Sequence, residues 1–441
     1  MANTYLTRTP SSTGNRKILT ISCWFKRSNV SSTQTLFANG GNSYNRDYIS
    51  LESNQLVVAR YDGGYQYQIK LTRLFRDTSA WYHLVVAFNT TESSSDNRIK
   101  IYINGVRETS FATNTRPSLN RDTWYNYSGK LQNIGVDYDN AGNDFNGLMS
   151  HVHWCDGAAL APTVFGETDS TTGEWKIKTS PSFTPGTNGF TILKDGNTIT
   201  DQSANSNNFS LGGGTITVTK DCPDNVFCTM NPLVKQTDST LTQGNNSVTY
   251  GTASTRRPVF GTLAATSGKF YYEVKCLATS TTVCETSFGI ANTYNPEAIG
   301  NALAANGYTA SFRSPSPTSI YIGATSTITG LGDMGINDIF GVLMNLDNNQ
   351  ISIRKNGDTS WSAASFSSQN SGEIGGWTPA INCTSGSATF TLGFNFGNGT
   401  FGTTAITTNS GNGYAGAEGA SKFNYAVPSG YSALSTKGLN Q

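Results

Sequence analysis

Charge is scarce in this 441-residue chain. Asp, Glu, Lys and Arg together make up 13% of it, about half the ~25% usual for soluble domains. With a formal net charge of +1, no field draws nucleic acid or anionic lipid, and neither is expected as a partner. Long apolar runs are also missing: no stretch approaches the ~20 residues of a membrane span, so membrane insertion is not expected. The opening MANTYLTRTPSSTGNRK lacks the apolar centre of a secretory signal, which predicts that any location outside a cell is reached by another route. Histidine is nearly absent, with three in the chain, and this leaves little for acid–base or zinc chemistry. The seven cysteines are odd in number and irregular in spacing, so at least one is unpaired or pairs between chains. Cys222 with Cys228, and Cys276 with Cys284, could each close a small loop; free buried thiols are the preferred reading.

What takes the place of charge is Gly, Asn, Ser and Thr, a composition suited to short strands joined by many turns. The hydrophobic content of 36%, with 11% aromatic, is enough for real cores, and the length suits two or three domains. The clearest pattern is DIFGVLMNLDNNQISIRKNG, Asp338 to Gly357. Phe340, Val342, Met344 and Leu346 alternate onto one face, and Ile339 and Leu343 onto the other, so the strand has little solvent contact. Asp347-Asn348-Asn349 reverses the chain, Ile351 and Ile353 return, and Asn356-Gly357 turns again. An earlier hairpin repeats the device: Trp81 to Phe88, a polar loop, then Ile99 to Gly105. Between Ile49 and Leu71 three further strands are expected, with turns at Ser53-Asn54 and Asp62-Gly63-Gly64. In the last of them Tyr65, Tyr67, Ile69 and Leu71 share a face. A tyrosine stripe can serve as a sugar platform, but its phase with Ile69 and Leu71 favours core packing. The expected class is all-β, two sandwiches in tandem: residues 1–170, a small β-rich connector at 171–258, and residues 259–441 ending in a C-terminal packing strip. Phe209, Leu211, Ile216, Val218 and Phe227 give the connector something to bury.

In residues 1–170 the strand with Trp81 and His83, the strand ending in Asn104-Gly105, and the closing segment Gly147 to Leu160 resemble the laminin-G-like/concanavalin A-like lectin and glucanase superfamily. In residues 259–403, Gly268 to Val274, Ser287 to Ala291, Asp338 to Gly357, Trp377 to Ala380 and Leu392 to Gly397 resemble a SPRY domain. Both resemblances imply concanavalin A-like jelly-roll sandwiches. Their combination, opened by Tyr5 to Pro10, is similar to virion proteins of marine-type tailed bacteriophages. That similarity implies a tail fibre, appendage or capsid decoration, assembled in the host cytoplasm and carried on the virion. Its implied partners are other virion proteins, further copies of the chain (a trimer is one form) and a host-surface glycan.

Signs of catalysis are few, and the chain is not expected to be an enzyme. His83 sits in an apolar strand as a structural histidine; His151 and His153 flank Val152 without the further ligands a zinc site needs. The paired carboxylates that glucanases place two residues apart on one strand are absent, and Glu52, Glu108, Glu273 and Glu285 stand alone along the sequence. No Gly-x-Ser-x-Gly elbow or phosphate loop occurs. The segment from Gly135 to Asp144 offers Asp137, Asp139 and Asp144 as hard oxygen donors suited to Ca²⁺, and the laminin-G resemblance implies a rim where calcium is held; a plain polar turn is the preferred alternative, and no other cofactor is expected. Trp124, Tyr125 and Tyr127, in DTWYNY, are the candidate sugar-stacking residues. Two functions follow: a non-enzymatic virion protein that contributes to host attachment, or a free carbohydrate-binding module or inactive glycan hydrolase relative.

Overall fold

The computed structural model describes residues 4–42, 44–138, 142–194, 198–235, 239–251, 258–281, 286–293, 307–311, 319–322, 325–329, 331–365, 375–383, 389–407 and 413–441. Among these residues the helical structure is one turn of α-helix, Thr436–Leu439, and two 3-10 turns, Ser95–Asn97 and Pro162–Val164. The rest of the regular structure is strand. The all-β expectation holds, in two compact units, Met1–Ile216 and Thr217–Gln441.

The first unit is a sandwich. Its larger sheet runs Phe111–Thr115, Tyr65–Leu74, Gln55–Asp62, Asn45–Glu52, Gln34–Asn42, Leu131–Ile134, Tyr5–Arg8, Ser210–Gly213. The facing sheet runs Phe190–Ile192, Gly147–Asp156, Ile18–Arg27, Tyr82–Asn89, Ile99–Ile103, Val106–Arg107. Neighbours that are distant in sequence sit side by side, as a jelly roll requires. Alternation does the sorting: Leu19, Ile21, Cys23 and Phe25 from one sheet meet Ile49, Leu51, Val58, Tyr67 and Ile69 from the other in one core. The turns match their residues, since Ser53, Asn54, Gly63, Asn104 and Gly105 all adopt positive φ. The outer face of the smaller sheet is covered by the segment after Asp156. There Thr20 Oγ1 donates to the Ala158 carbonyl at 2.8 Å and accepts from the Leu160 N–H at 2.8 Å.

The second unit is also two-layered. Among the described residues, one sheet runs Met230–Lys235, Val259–Gly261, Trp377–Cys383, Thr286–Asn292, Gly307–Ser311, Ser319–Ile322, Thr325–Thr329. The other runs Ser239–Thr242, Ser247–Tyr250, Phe390–Asn395, Lys269–Thr279, Ile339–Asn345, Gln350–Lys355, Ser362–Ser365, with Ser432–Ala433 parallel to Lys269–Thr279. The hairpin read from Asp338 to Gly357 lies at its heart. Phe340, Val342, Met344, Leu346, Ile351 and Ile353 enter the main core, and Leu343 packs on the opposite face with Tyr271 and Phe423.

The segment 171–258 does not stand apart as a connector. Phe190–Ile192 and Ser210–Gly213 complete sheets of the first unit, and Met230–Lys235, Ser239–Thr242 and Ser247–Tyr250 complete sheets of the second. Short apolar strands cannot bury themselves alone and are absorbed at the edges of the nearest sheets. Phe209 and Phe227 are buried, whereas Leu211 and Val218 are 43% and 48% exposed. The reading of buried, unbridged thiols holds at Cys23, Cys155 and Cys228; Cys222 forms no disulfide either but is only half-buried. Cys276 departs from it, being disulfide-bonded, and Cys284 lies outside the described residues.

The C-terminal strip packs where it was expected, held by an unexpected group. Glu273 is fully buried. Its carboxylate accepts from the N–H groups of Asn424 at 2.9 Å and Tyr425 at 2.8 Å, from Tyr271 Oη at 3.0 Å and from Asn395 Nδ2 at 3.0 Å. Burial raises its pKa despite these four donors. Replacing Glu273 by Ala strands the donors in a dry site, and the second unit should lose about 2–4 kcal/mol. Urea unfolding gives the loss, and limited proteolysis should show residues 413–441 cut first. An unchanged urea midpoint would refute this role.

Candidate functional site

The residues Trp124 to Tyr127 form a loop at one end of the first unit, and the structure separates them. Tyr125 is a correction to the sugar-stacking set. It is 1% exposed, with its ring 5.6 Å from Phe88 and 5.3 Å from Trp154 inside the core. A ligand cannot reach it, because it turns inward, as does Asn126, which is fully buried and accepts from Trp154 Nε1 at 2.8 Å. Trp124 and Tyr127 are half-buried and stay together, ring centroids 5.6 Å apart.

Beneath Trp124 lies an electrostatic ladder. Asp47 is fully buried on its strand; it accepts from the Trp124 backbone N–H and from Tyr67 Oη at 2.5 Å, with Arg60 3.7 Å away. Burial pushes the Asp47 carboxyl up to about 6, against the opposing pull of Arg60, Tyr67 and the Trp124 N–H. Asp62 accepts from Arg60 Nε at 2.6 Å, Arg121 at 3.2 Å and Trp124 Nε1 at 2.8 Å. Arg60 also donates to the Asp122 carbonyl at 2.6 Å, and Arg16 Nε to the Thr123 carbonyl at 2.8 Å. Cations crowd the aromatic rings: Arg60 lies 5.1 Å and Lys130 5.3 Å from the Trp124 centroid, and Arg16 lies 4.1 Å from that of Tyr127. Beside this loop opens a shallow cleft of about 530 Å³, lined by Arg16, Arg60, Asp62, Leu119, Asn120 and Arg121 among others. The sequence reading missed the arginines, since Arg16, Arg60 and Arg121 are far apart along the chain; the Arg121-Asp122 pair beside Trp124 was the one local hint.

The tyrosine stripe divides. Tyr67 is fully buried, but Tyr65 is 50% exposed. The register shifts where Tyr61 pairs with Tyr65 and Arg60 with Tyr67, a bulge that swings Tyr65 out of phase. Tyr65 then meets Tyr61, centroids 5.3 Å apart, and Tyr48, hydroxyls 3.4 Å apart, on the face turned away from the core. Tyr44, 65% exposed, adds a further ring to this end of the unit.

Of the calcium candidates, Asp137 is 8% exposed. It accepts from the Tyr138 N–H at 2.8 Å and from Asn143 Nδ2 at 3.4 Å, and Arg46 stands 3.7 Å from it. Asp144 is half-buried with its carboxyl pKa raised by burial, and Asp139 lies outside the described residues. Among the described residues no group of three or more His, Cys, Asp or Glu gathers so as to hold a metal.

His83 is a structural histidine, as read. It stacks on Trp24 at 4.7 Å, donates from Nε2 to Ser22 Oγ at 2.9 Å, and accepts at Nδ1 from Trp175 Nε1 at 3.0 Å, an arrangement that requires the neutral ring. Burial pushes its pKa down to about 3. Gly105 lets Trp175 close over it, since a Cβ there would sit 2.4 Å from the indole. His151 and His153 do not continue one strand face; the register breaks between Ser150 and His153, with His151 at φ 48°.

Two outcomes follow. In Asp47→Asn, amides of residues 120–127 should exchange hydrogen faster than in the parent while the core strands stay protected. Equal exchange in that loop would show that Asp47 does not hold it. For His83, the unfolded ring takes a proton below pH ~6.5 and the folded ring does not until about 3, so stability falls as pH falls between those values. At pH 4.5 the loss is about 3 kcal/mol. Asp47, with its raised pKa, acts in the opposite sense, so the test is a comparison: His83→Gln should lose less stability than the parent between pH 7 and 4.5. Parallel urea midpoints for the two chains across that range would overturn it.

Among curated proteins none matches the chain. Solved structures similar to it include the SPRY domain of human HERC1, at 15% identity over 37% of this chain and 96% of that one, TM-score 0.31. They also include a native heptameric SAP-like pentraxin from Limulus polyphemus, at 16% identity over 36% and 72%, TM-score 0.28. A third is domain 4 of AbnA, a GH43 extracellular arabinanase from Geobacillus stearothermophilus in complex with arabinotriose, at 19% identity over 35% and 68%, TM-score 0.27. Within the first unit, residues 2–165 match the family of the concanavalin A-like lectin/glucanases superfamily.

Proposed function

We propose that this protein is a non-enzymatic binding and structural component of a bacteriophage particle, a tail fibre, appendage or capsid decoration that contributes to attachment at a glycan-bearing host surface. One observation carries the reading: the buried carboxylates are spent on holding loops. Asp47 fixes Trp124, Asp156 accepts from the N–H groups of Asn15 and Asn188, Asp201 from those of Thr191, Ser203 and Asn207, and Glu273 from those of Asn424 and Tyr425. Groups used this way stiffen a surface. Rigid loops carrying half-exposed aromatics and neutral hydrogen-bonding groups suit wet, specific contacts. The match of residues 2–165 to a superfamily of lectins and glucanases supports a carbohydrate as one of those contacts. Mass spectrometry of purified particles should find the chain in stoichiometric amount, and particles lacking it would end the virion reading.

The cleft beside Trp124 favours a second reading, a free carbohydrate-binding module. On a glycan array the parent chain should bind and Trp124→Ala should bind at least about tenfold more weakly. Binding to a glycan by a chain missing from particles would favour this alternative.

A further inference from the structure

The inner face of the larger sheet in the first unit ends in a polar row. Strand register sets Arg8 beside Gln132, Gln132 beside Asn39, Asn39 beside Asp47, Asp47 beside Arg60 and Arg60 beside Tyr67. Directly paired residues point to the same side of a sheet, and Tyr67 identifies that side as the core. Six neighbouring strands therefore each turn one polar side chain inward at the same level. Both ends of the row are paired. Arg8 donates to Gln132 Oε1 at 3.0 Å and to Asn188 Oδ1 at 3.3 Å; Tyr67 Oη and the Trp124 N–H donate to Asp47, and Arg60 to Asp62. The middle is different. Among the described residues neither Oδ1 nor Nδ2 of Asn39 has a hydrogen-bond partner, and neither has Gln132 Nε2. The Trp124 loop brings a third such residue, Tyr125, whose Oη is also without one. It lies near this stretch of the row: burial, and after it the charge of Asp47, push the Tyr125 hydroxyl pKa well above its ordinary range. Asn39, Gln132 and Tyr125 are 1%, 3% and 1% exposed, so bulk solvent does not reach them. Trp154 from the facing sheet walls this end, 6.4 Å from Phe37 and 5.3 Å from Tyr125 between ring centroids, and its own Nε1 is taken by Asn126.

Polar atoms buried in this way carry their full desolvation penalty until something meets them. A single direct bond between the two amides leaves one polar atom of Asn39 still unmet. Whichever way its amide is turned, Asn39 offers one acceptor and one donor group, Gln132 adds a donor group, and Tyr125 can do either. A cation there would face the amide N–H groups, and an anion would face Asp47. A small neutral molecule that both donates and accepts suits all of them, and water makes about three such bonds in a buried site. We propose that the middle of this row is an internal water site, where at least one water molecule bridges Asn39 to Gln132 and to the Tyr125 hydroxyl. The underside of the Trp124 loop is then tied to the sheet twice, by the carboxylate of Asp47 and by solvent. The site is independent of whichever ligand the chain takes.

Two measurements on the full chain test it. A crystal structure that shows ordered solvent should place a water within about 2.7–3.2 Å of an Asn39 side-chain atom and of Gln132 Nε2 or Tyr125 Oη. In solution, magnetic relaxation dispersion of the water oxygen counts long-lived internal waters. The double variant Asn39→Leu, Tyr125→Phe keeps the volume and removes the polar atoms, and its count should fall below the parent's by at least one water. Should that variant fail to fold, the solvent density of the parent decides alone. Equal counts in parent and variant overturn the inference. So does density in which Asn39 bonds straight to Gln132 or Tyr125 with no water between, or in which an ion or a buffer molecule holds the position.

Discussion

A carboxylate taken out of water must be met by donors, and this chain uses that demand to place its loops. An unpaired buried charge costs several kcal/mol, so a segment that supplies N–H groups to one is held in a single position. Glu273 holds the C-terminal strip over its sheet, Asp156 and Asp201 gather the loops between Thr184 and Phe209, and Asp47 fixes the loop that bears Trp124. Strand pairing builds the two sandwiches, and the buried acids decide what sits on their ends and faces.

The same economy shapes the covered sheet faces. In the first unit the outer face of the smaller sheet carries Thr20, Ser22, Trp24, His83 and His153, all buried. A polar face of this kind is costly to bury unless most of its groups find partners, and the segment after Asp156 brings Trp175 for His83 and Phe165 to stack on His153 at 5.4 Å. In the second unit an aromatic strip, Phe423 against Tyr271 at 4.8 Å, covers the corresponding need. Neutral histidines inside such a layer tie the fold to pH through burial.

The functional reading follows from where exposure survives. Arg121, Trp124 and Tyr127 from one loop, Tyr65 from a strand and Arg16 from the N-terminal segment all keep accessible surface. Their backbones are fixed from beneath, so a ligand meeting them orders little. That is the physical case for recognition at this end of the unit, and it needs no reaction chemistry.

The sequence by itself determined the class, the hairpins and the core faces. Alternation of period two and positive-φ turn residues are local properties, and Asn104-Gly105, Ser53-Asn54 and the strand from Ile339 to Asn345 behave as their residues require. Tertiary structure alone decided which members of a local set face water. One bulge between Tyr65 and Tyr67 sent the first outward, Tyr125 turned into the core while Trp124 and Tyr127 kept partial exposure, and residues 171–258 were divided between two sets of sheets. It also decided the cleft, because Arg16, Arg60 and Arg121 meet only through strand pairings between distant segments. Such pairings depend on register, and register is set by what both sheets bury together rather than by any single stretch of chain.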